Sequence, residues 1–226
     1  MAPSWWQPLA ARGLGWLLLG FVRLLTGAQA RWYGCPPKAE QRIYFANHQS
    51  HADLVMIWAA LPQELRGITR PIAARDYWTK SELRRWITTA IFNAVYVERE
   101  RKGDEDPLQP LAEALERGDS LIIFPEGTRG HAPEPQPFKA GLYNLALRFP
   151  EVVLVPAWIS NVQRVMPKGE VVPVPILCSV TFGAPVRLEP GEERRDHGLT
   201  PRIADLKVNR KVNEINDLPT PPPRQC

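Results

Sequence analysis

The strongest constraint on this chain is an alternation of two kinds of segment. Strand-length apolar runs occur at residues 42–46 (RIYFA), 70–74 (RPIAA), 94–98 (AVYVE), 120–124 (SLIIF), 152–157 (VVLVPA) and 176–182 (ILCSVTF). Between and after them lie helix-length stretches at 52–61, 78–92, 107–117, 140–148 and 208–218. Strands separated by helices of this length predict an α/β fold with a mixed, largely parallel sheet flanked by helices. The Pro- and Gly-rich stretch 167–175 reads as a loop within the same domain, and no internal repeat interrupts the pattern. With 226 residues, 44% of them hydrophobic, the chain can build one substantial core. The 3 Cys exclude a disulfide-built scaffold, and a Cys-only zinc site lacks its fourth thiolate.

The ends of the chain read differently. Residues 13–30 (GLGWLLLGFVRLLTGAQA) form an apolar run that as a helix spans roughly 27 Å, close to the hydrocarbon thickness of a bilayer. Arg12 and Arg23 fall within about 20° of each other around such a helix. Trp5 and Trp6 precede the run and Trp32 and Tyr33 follow it, as interfacial aromatics do. The reading preferred on these grounds is a membrane-associated helix whose arginines reach for headgroups. A signal peptide ending at Ala28-Gln29-Ala30 and a buried core helix are the two rivals. The expected division is a helical membrane module at 1–38, an α/β domain at 39–218 and a proline-rich tail at 219–226.

In open α/β sheets, function gathers beyond the carboxyl ends of the strands. The run 42–46 leads straight into Asn47-His48-Gln49-Ser50-His51-Ala52-Asp53. A positioned imidazole can take a proton from an attacking alcohol, and a carboxylate on its other nitrogen fixes the tautomer. In a regular helix His48 and Asp53 would point about 140° apart. They meet only if His48 precedes the helix and Asp53 lies in its first turn, where Ser50 can cap. His51 is an alternative base, and His48, His51 and Asp53 as metal ligands are another alternative, short of further convergent ligands.

The second junction, after 94–98, carries Arg99, Arg101 and Lys102. The third, after the run 120–124, is Phe-Pro-Glu-Gly-Thr-Arg at 124–129, followed by Pro-Phe-Lys at 137–139. Arg99 and Arg129 are fork-shaped donors suited to a phosphate or carboxylate. Gly127 permits close backbone approach. Phosphate-loop, dinucleotide and Gly-x-Ser-x-Gly patterns are absent, so the base is expected to activate the substrate's own hydroxyl rather than an enzyme nucleophile. A formal net charge of +4 is too mild to indicate nucleic acid and fits an anionic membrane face or small anion better. A base, an anion clamp and an apolar helix together point to acyl transfer onto a phosphate-bearing lipid.

These residues resemble the glycerolipid acyltransferase family, most closely its bacterial 1-acylglycerol-3-phosphate acyltransferases. His-x4-Asp corresponds to His48 and Asp53, with Asn47 before the histidine. Val95-Tyr96-Val97-Glu98-Arg99 corresponds to the second motif, Phe124 to Arg129 to the third, Pro137 to Gly141 to its extension, and Val155-Pro156 to the fourth. Departures are Gly130 where Ser is frequent, Ala94 where Gly is frequent, and Trp158 after the fourth motif.

The resemblance implies that His48 is the general base with Asp53 as its partner. It implies that Arg99, Glu126, Gly127, Thr128, Arg129 and, in the extension, Lys139 shape the substrate site. It further implies an acyl-CoA or acyl-acyl carrier protein donor and a 1-acyl-sn-glycerol 3-phosphate acceptor, with no cofactor and no metal. Partners are then the lysophospholipid, the acyl carrier and membrane lipid, at the cytoplasmic face of the cell inner membrane. Related activities that share the motifs are acylation of other lysolipids such as lyso-ornithine lipid. A non-catalytic peripheral lipid-binding protein would account for the basic N-terminus but not for His48 and Asp53, and a lipid hydrolase would use His48 to activate water.

Overall fold

A computed structural model describes residues 7–26, 29–50, 52–98, 106–130, 135–160 and 178–187. The expected loop at 167–175, the closing helix at 208–218, the tail at 219–226, and His51 and Arg99 all lie outside the described residues.

Among the described residues, seven strands form one sheet: β1 (Gln29–Trp32), β2 (Arg42–Ala46), β3 (Thr69–Ala74), β4 (Val95–Val97), β5 (Ser120–Ile123), β6 (Val153–Ser160) and β7 (Ser179–Phe182). Their order is β1-β7-β6-β2-β5-β3-β4. β2 pairs in parallel with both β5 and β6, β3 in parallel with β5 and β4, and β1 in parallel with β7; β6 and β7 run antiparallel. The helices are α1 (Gln7–Thr26), α2 (Asp53–Ala60), α3 (Gln63–Ile68), α4 (Arg75–Trp78), α5 (Glu82–Trp86), a π-helical turn (Ile87–Ile91), α6 (Gln109–Glu116) and α7 (Ala140–Arg148).

β2 is the central strand of this sheet. All five of its residues are buried, as a parallel strand covered on both faces requires. Ile43 and Phe45 enter a cluster with Leu111 and Leu115 of α6 and Leu142 and Leu145 of α7. Tyr44 and Ala46 point the other way, into a cluster with Met56 and Ile57 of α2. The i, i+3, i+4 spacing of Leu111, Ala114 and Leu115, and of Leu142, Leu145 and Ala146, sets the buried faces of α6 and α7. α6 stops at Gly118, whose φ of 85° allows a left-handed cap. The N–H groups of Gly118 and Asp119 then satisfy the carbonyls of Leu115 and Ala114.

The single helix expected at 78–92 is instead broken. The Thr79 hydroxyl folds back on the Arg75 carbonyl and ends α4, while the Ser81 hydroxyl accepts the Arg84 N–H and starts α5. β1 and α3 were not foreseen.

The N-terminal membrane segment and the inner-membrane placement are corrected. α1 forms over most of the expected span, but no helix among the described residues is long and apolar enough to cross a membrane. Arg12, Arg23 and three glycines dilute its apolar content. α1 packs on the domain: Leu19 is 3% exposed and joins Leu54, Trp58 and Phe92, with Leu18 and Val22 alongside. That is the core-helix rival for one face. The other face leaves Trp16, Leu17 and Phe21 exposed.

Candidate active site

The parallel strands β2, β5, β3 and β4 end on one side of the sheet, and the chemistry-bearing residues follow β2 and β5 there. After β2 the chain leaves the sheet at Asn47. Its side-chain amide donates to the Ile159 carbonyl (3.2 Å) and its Oδ1 accepts the Ile159 N–H (2.8 Å), both buried. This pair acts as one further rung between β2 and β6 and fixes where the next residue leaves the sheet.

His48 comes next, and Asp53 opens α2. His48 Nδ1 lies 2.9 Å from Asp53 Oδ2. The same oxygen accepts the Gln49 N–H (2.6 Å) and the Ser50 N–H (2.8 Å), so the carboxylate closes the turn that brings histidine and aspartate together. The bend expected at the strand-to-helix junction is the means by which a five-residue spacing meets. The Ser50 hydroxyl accepts the Ala52 N–H at 3.2 Å. Asp53 is 1% exposed and His48 21%. A buried carboxylate on Nδ1 keeps the proton on that nitrogen and leaves Nε2 basic.

The imidazole also stacks on Phe124, with ring centres 4.5 Å apart and planes 21° apart. Phe124 follows β5 and begins the turn that carries Glu126, Gly127, Thr128 and Arg129. The Gly127 N–H donates to the Phe124 carbonyl at 3.0 Å, and Gly127 has φ 70°. A Cβ at Gly127 would come within 2.7 Å of Lys139 Nζ, so the lysine stem lies over this turn. The Lys139 N–H is tied to the Pro125 carbonyl at 2.9 Å. Thr128, Arg129 and Lys139 are exposed.

Glu126 is 3% exposed, and both of its oxygens are engaged. Oε1 accepts the backbone N–H of His48 at 2.8 Å and Oε2 that of Gln136 at 3.1 Å. The Gly130 N–H returns to the His48 carbonyl at 2.8 Å. The histidine backbone is thus held on both its N–H and its C=O by the turn after β5. Backbone N–H groups at such a turn are a common source of donors to a developing oxyanion. Those of Gly127, Gly130 and Lys139 are already bonded to carbonyls.

The structure therefore brings His48, Asp53 and Glu126 into one bonded cluster, with Gly127 and Lys139 against each other beside it. Sequence reasoning did not foresee the Asn47–Ile159 clamp, the Phe124 stack or the Gln136 contact. The aromatic at the end of β5 was a usable signal for the stack; Gln136 offered none. No group of three or more potential metal ligands gathers among the described residues.

Residues 35–160 match the acyltransferase family, and the chain belongs to it. It is 32% identical over 191 residues to human 1-acyl-sn-glycerol-3-phosphate acyltransferase alpha, covering 82% of this chain and 62% of the human protein. It is 29% identical over 149 residues to the lyso-ornithine lipid O-acyltransferase of Brucella abortus, covering 64% of this chain and 47% of that protein. The chain thus spans about half to six-tenths of the length of the curated relatives it matches. Its fold is that of the crystal structure of the 1-acyl-sn-glycerophosphate (LPA) acyltransferase PlsC from Thermotoga maritima. That match has a TM-score of 0.64 at 21% identity, over 94% of this chain and 83% of the other.

Proposed function

We propose that this chain transfers a fatty acyl group from acyl-CoA or acyl-acyl carrier protein to the free hydroxyl of 1-acyl-sn-glycerol 3-phosphate, giving phosphatidic acid. The observation that carries the reading is the 2.9 Å contact between His48 Nδ1 and a buried Asp53 oxygen, at the end of β2 within the family's matched region.

His48 Nε2 takes the proton of the acceptor hydroxyl as its oxygen attacks the thioester carbonyl. The new C–O bond forms and charge gathers on the carbonyl oxygen. The intermediate collapses, the C–S bond breaks, and the thiolate recovers the proton from the imidazolium. Asp53 stabilises that imidazolium. Phe124 holds the ring plane, and Glu126 holds the backbone from which the ring projects. Arg99 and Arg129 bind the acceptor phosphate by paired, charge-assisted bonds, and Gly127, Thr128 and Lys139 shape the same end of the site.

The deciding assay uses purified protein in detergent with a panel of lysolipid acceptors and both donor types, products identified by mass. Phosphatidic acid as the main product supports the reading. Preferential acylation of lyso-ornithine lipid, the acceptor in the name of the Brucella relative, moves the chain to that activity. Free fatty acid formed without transfer indicates a hydrolase.

A further inference from the structure

A cavity of about 530 Å³ opens beside the active-site end of the sheet, away from His48. Arg75 of α4 and Thr79 at its end, Glu82, Arg85 and Trp86 of α5, Thr89 of the π-helical turn and Tyr96 of β4 line it. None of these residues has a part in the chemistry described above.

The cavity and the base share a face of the sheet. Val95 packs with Ile43 and Leu121 on the α6–α7 side, so its neighbour Tyr96 points to the opposite face, where its hydroxyl meets Thr88 and Thr89. Ile87 and Ile91 of the π-helical turn pack against the cluster of Leu19, Leu54, Trp58 and Phe92, and Phe124 packs against the same cluster. Phe124 in turn carries the His48 ring.

Spacing decides what can occupy the cavity. β3 lies two strands from β2 and β4 lies three. At the usual separation this puts the cavity about 10 to 14 Å from the base along the strand ends. In a lysophosphatidate, four bonds separate the reacting hydroxyl oxygen from phosphorus, roughly 5 Å. The acceptor phosphate does not reach. In a 4′-phosphopantetheine arm, thirteen bonds separate sulfur from phosphorus, roughly 16 Å extended. A slightly bent arm reaches with its thioester at His48.

The lining suits that end of the arm. Next to its phosphate the arm carries a carbon bearing two methyl groups, matched here by Trp86 and Tyr96. The Arg75 guanidinium lies 5.4 Å above the Tyr96 ring and uses Nε for its ion pair with Glu98, while Arg85 uses Nη2 for Glu82. A guanidinium has five donors, so neither pair consumes its capacity for phosphate. Glu82 is 86% exposed and can turn to solvent when an anion enters.

We propose that this cavity receives the phosphate end of the donor's 4′-phosphopantetheine arm, the part common to coenzyme A and acyl carrier protein. The assignment of donor rests on the acyl-transfer reading. Direct binding tests it without turnover. Full-length protein is titrated calorimetrically with coenzyme A, 4′-phosphopantetheine and pantetheine, alongside Arg85→Gln and Thr89→Trp, both at exposed positions, with circular dichroism as the check on folding.

The expectation is that both phosphorylated ligands bind at least about tenfold more tightly than pantetheine, the scale of a charge-assisted bond. Either folded variant should lose that advantage, whereas His48→Ala keeps it. Pantetheine binding as tightly as the phosphorylated ligands, or coenzyme A binding unaltered in folded variants, overturns the proposal. So does an advantage held by coenzyme A alone, which would put the nucleotide in the cavity instead. In steady state, a rise in acceptor KM rather than donor KM likewise overturns it. Failure of the wild type to acylate lysophosphatidate, with this binding pattern intact, sinks the acceptor assignment and leaves the cavity's assignment standing.

Discussion

Glu126 accepts the backbone N–H of His48, 2.8 Å away and 78 residues earlier in the chain. The proposed base is therefore held by its main chain as well as by its ring, and by a residue of the motif that was expected to contact substrate.

Replacing Glu126 by Gln exchanges one accepting oxygen for an NH2 group facing a backbone N–H. A buried donor left without an acceptor costs about 1–3 kcal/mol. Urea unfolding of Glu126→Gln should show a loss of that size, together with a fall in kcat. A residue that only touched acceptor would raise acceptor KM and leave unfolding unchanged.

Asp53 separates charge from geometry. Oδ2 accepts three donors, whereas Oδ1 is buried with no hydrogen-bond partner among the described residues. An asparagine can keep its oxygen at the Oδ2 position and preserve the turn. Asp53→Asn should thus stay folded and lose turnover through the unsupported imidazolium. His48→Ala should lose about 10²- to 10⁴-fold, also without unfolding. Near-normal turnover in either variant would remove the pair from the mechanism.

Asn47→Ala strips partners from both the N–H and the C=O of Ile159 inside the sheet. Stability should fall by roughly 2–5 kcal/mol, read from the denaturant midpoint. Any turnover that persists should be at reduced kcat, since His48 leaves the sheet from this position.

Arg129→Lys keeps the charge and loses the planar fork. The measurement is a titration of each substrate in turn: acceptor KM should rise while donor KM holds. A defect confined to the donor would move Arg129 away from the acceptor phosphate.

Burial pushes the Tyr44 hydroxyl up to about 12, with Arg42 pulling the other way. The folded protein therefore keeps a proton that the unfolded chain releases above about pH 10. This contribution is complete below pH 10 and is lost as pH rises toward 12, on the order of 2–3 kcal/mol. Burial also raises the Cys35 thiol, which adds a loss of the same sign. Tyr44→Phe should flatten the decline between pH 10 and 12 in urea unfolding; an unchanged slope would contradict it.

Legibility in the sequence followed the physics of each segment. β2 forms over the expected residues because a run buried on both faces is nearly continuously apolar, here from Ile43 to Ala46 after Arg42, and needs no register cue. α7 matches because its i, i+3, i+4 pattern is complete within nine residues. The 78–92 segment failed because Thr79 and Ser81, unremarkable in composition and two residues apart, both draw the backbone into side-chain bonds, one ending α4 and the other starting α5. β1 is short and only half-buried, so Gln29 and Arg31 hide its pairing with β7. The His48–Asp53 meeting was legible because only one backbone path permits it. The Glu126–His48 bond was not, since local spacing carries no sign of a partner on another strand end.

The Glu126–His48 bond and the Asn47–Ile159 pair, which together set where His48 leaves the sheet, join residues 78 and 112 positions apart. Parallel neighbours of β2 exist only after long loops have closed, and such non-local pairings form slowly. During synthesis β2 waits unpaired on these edges until β5 and then β6 emerge. The proposed catalytic histidine thus reaches its working position near the end of folding, and recovery of activity after dilution from denaturant reports completion of the whole sheet rather than of any local unit.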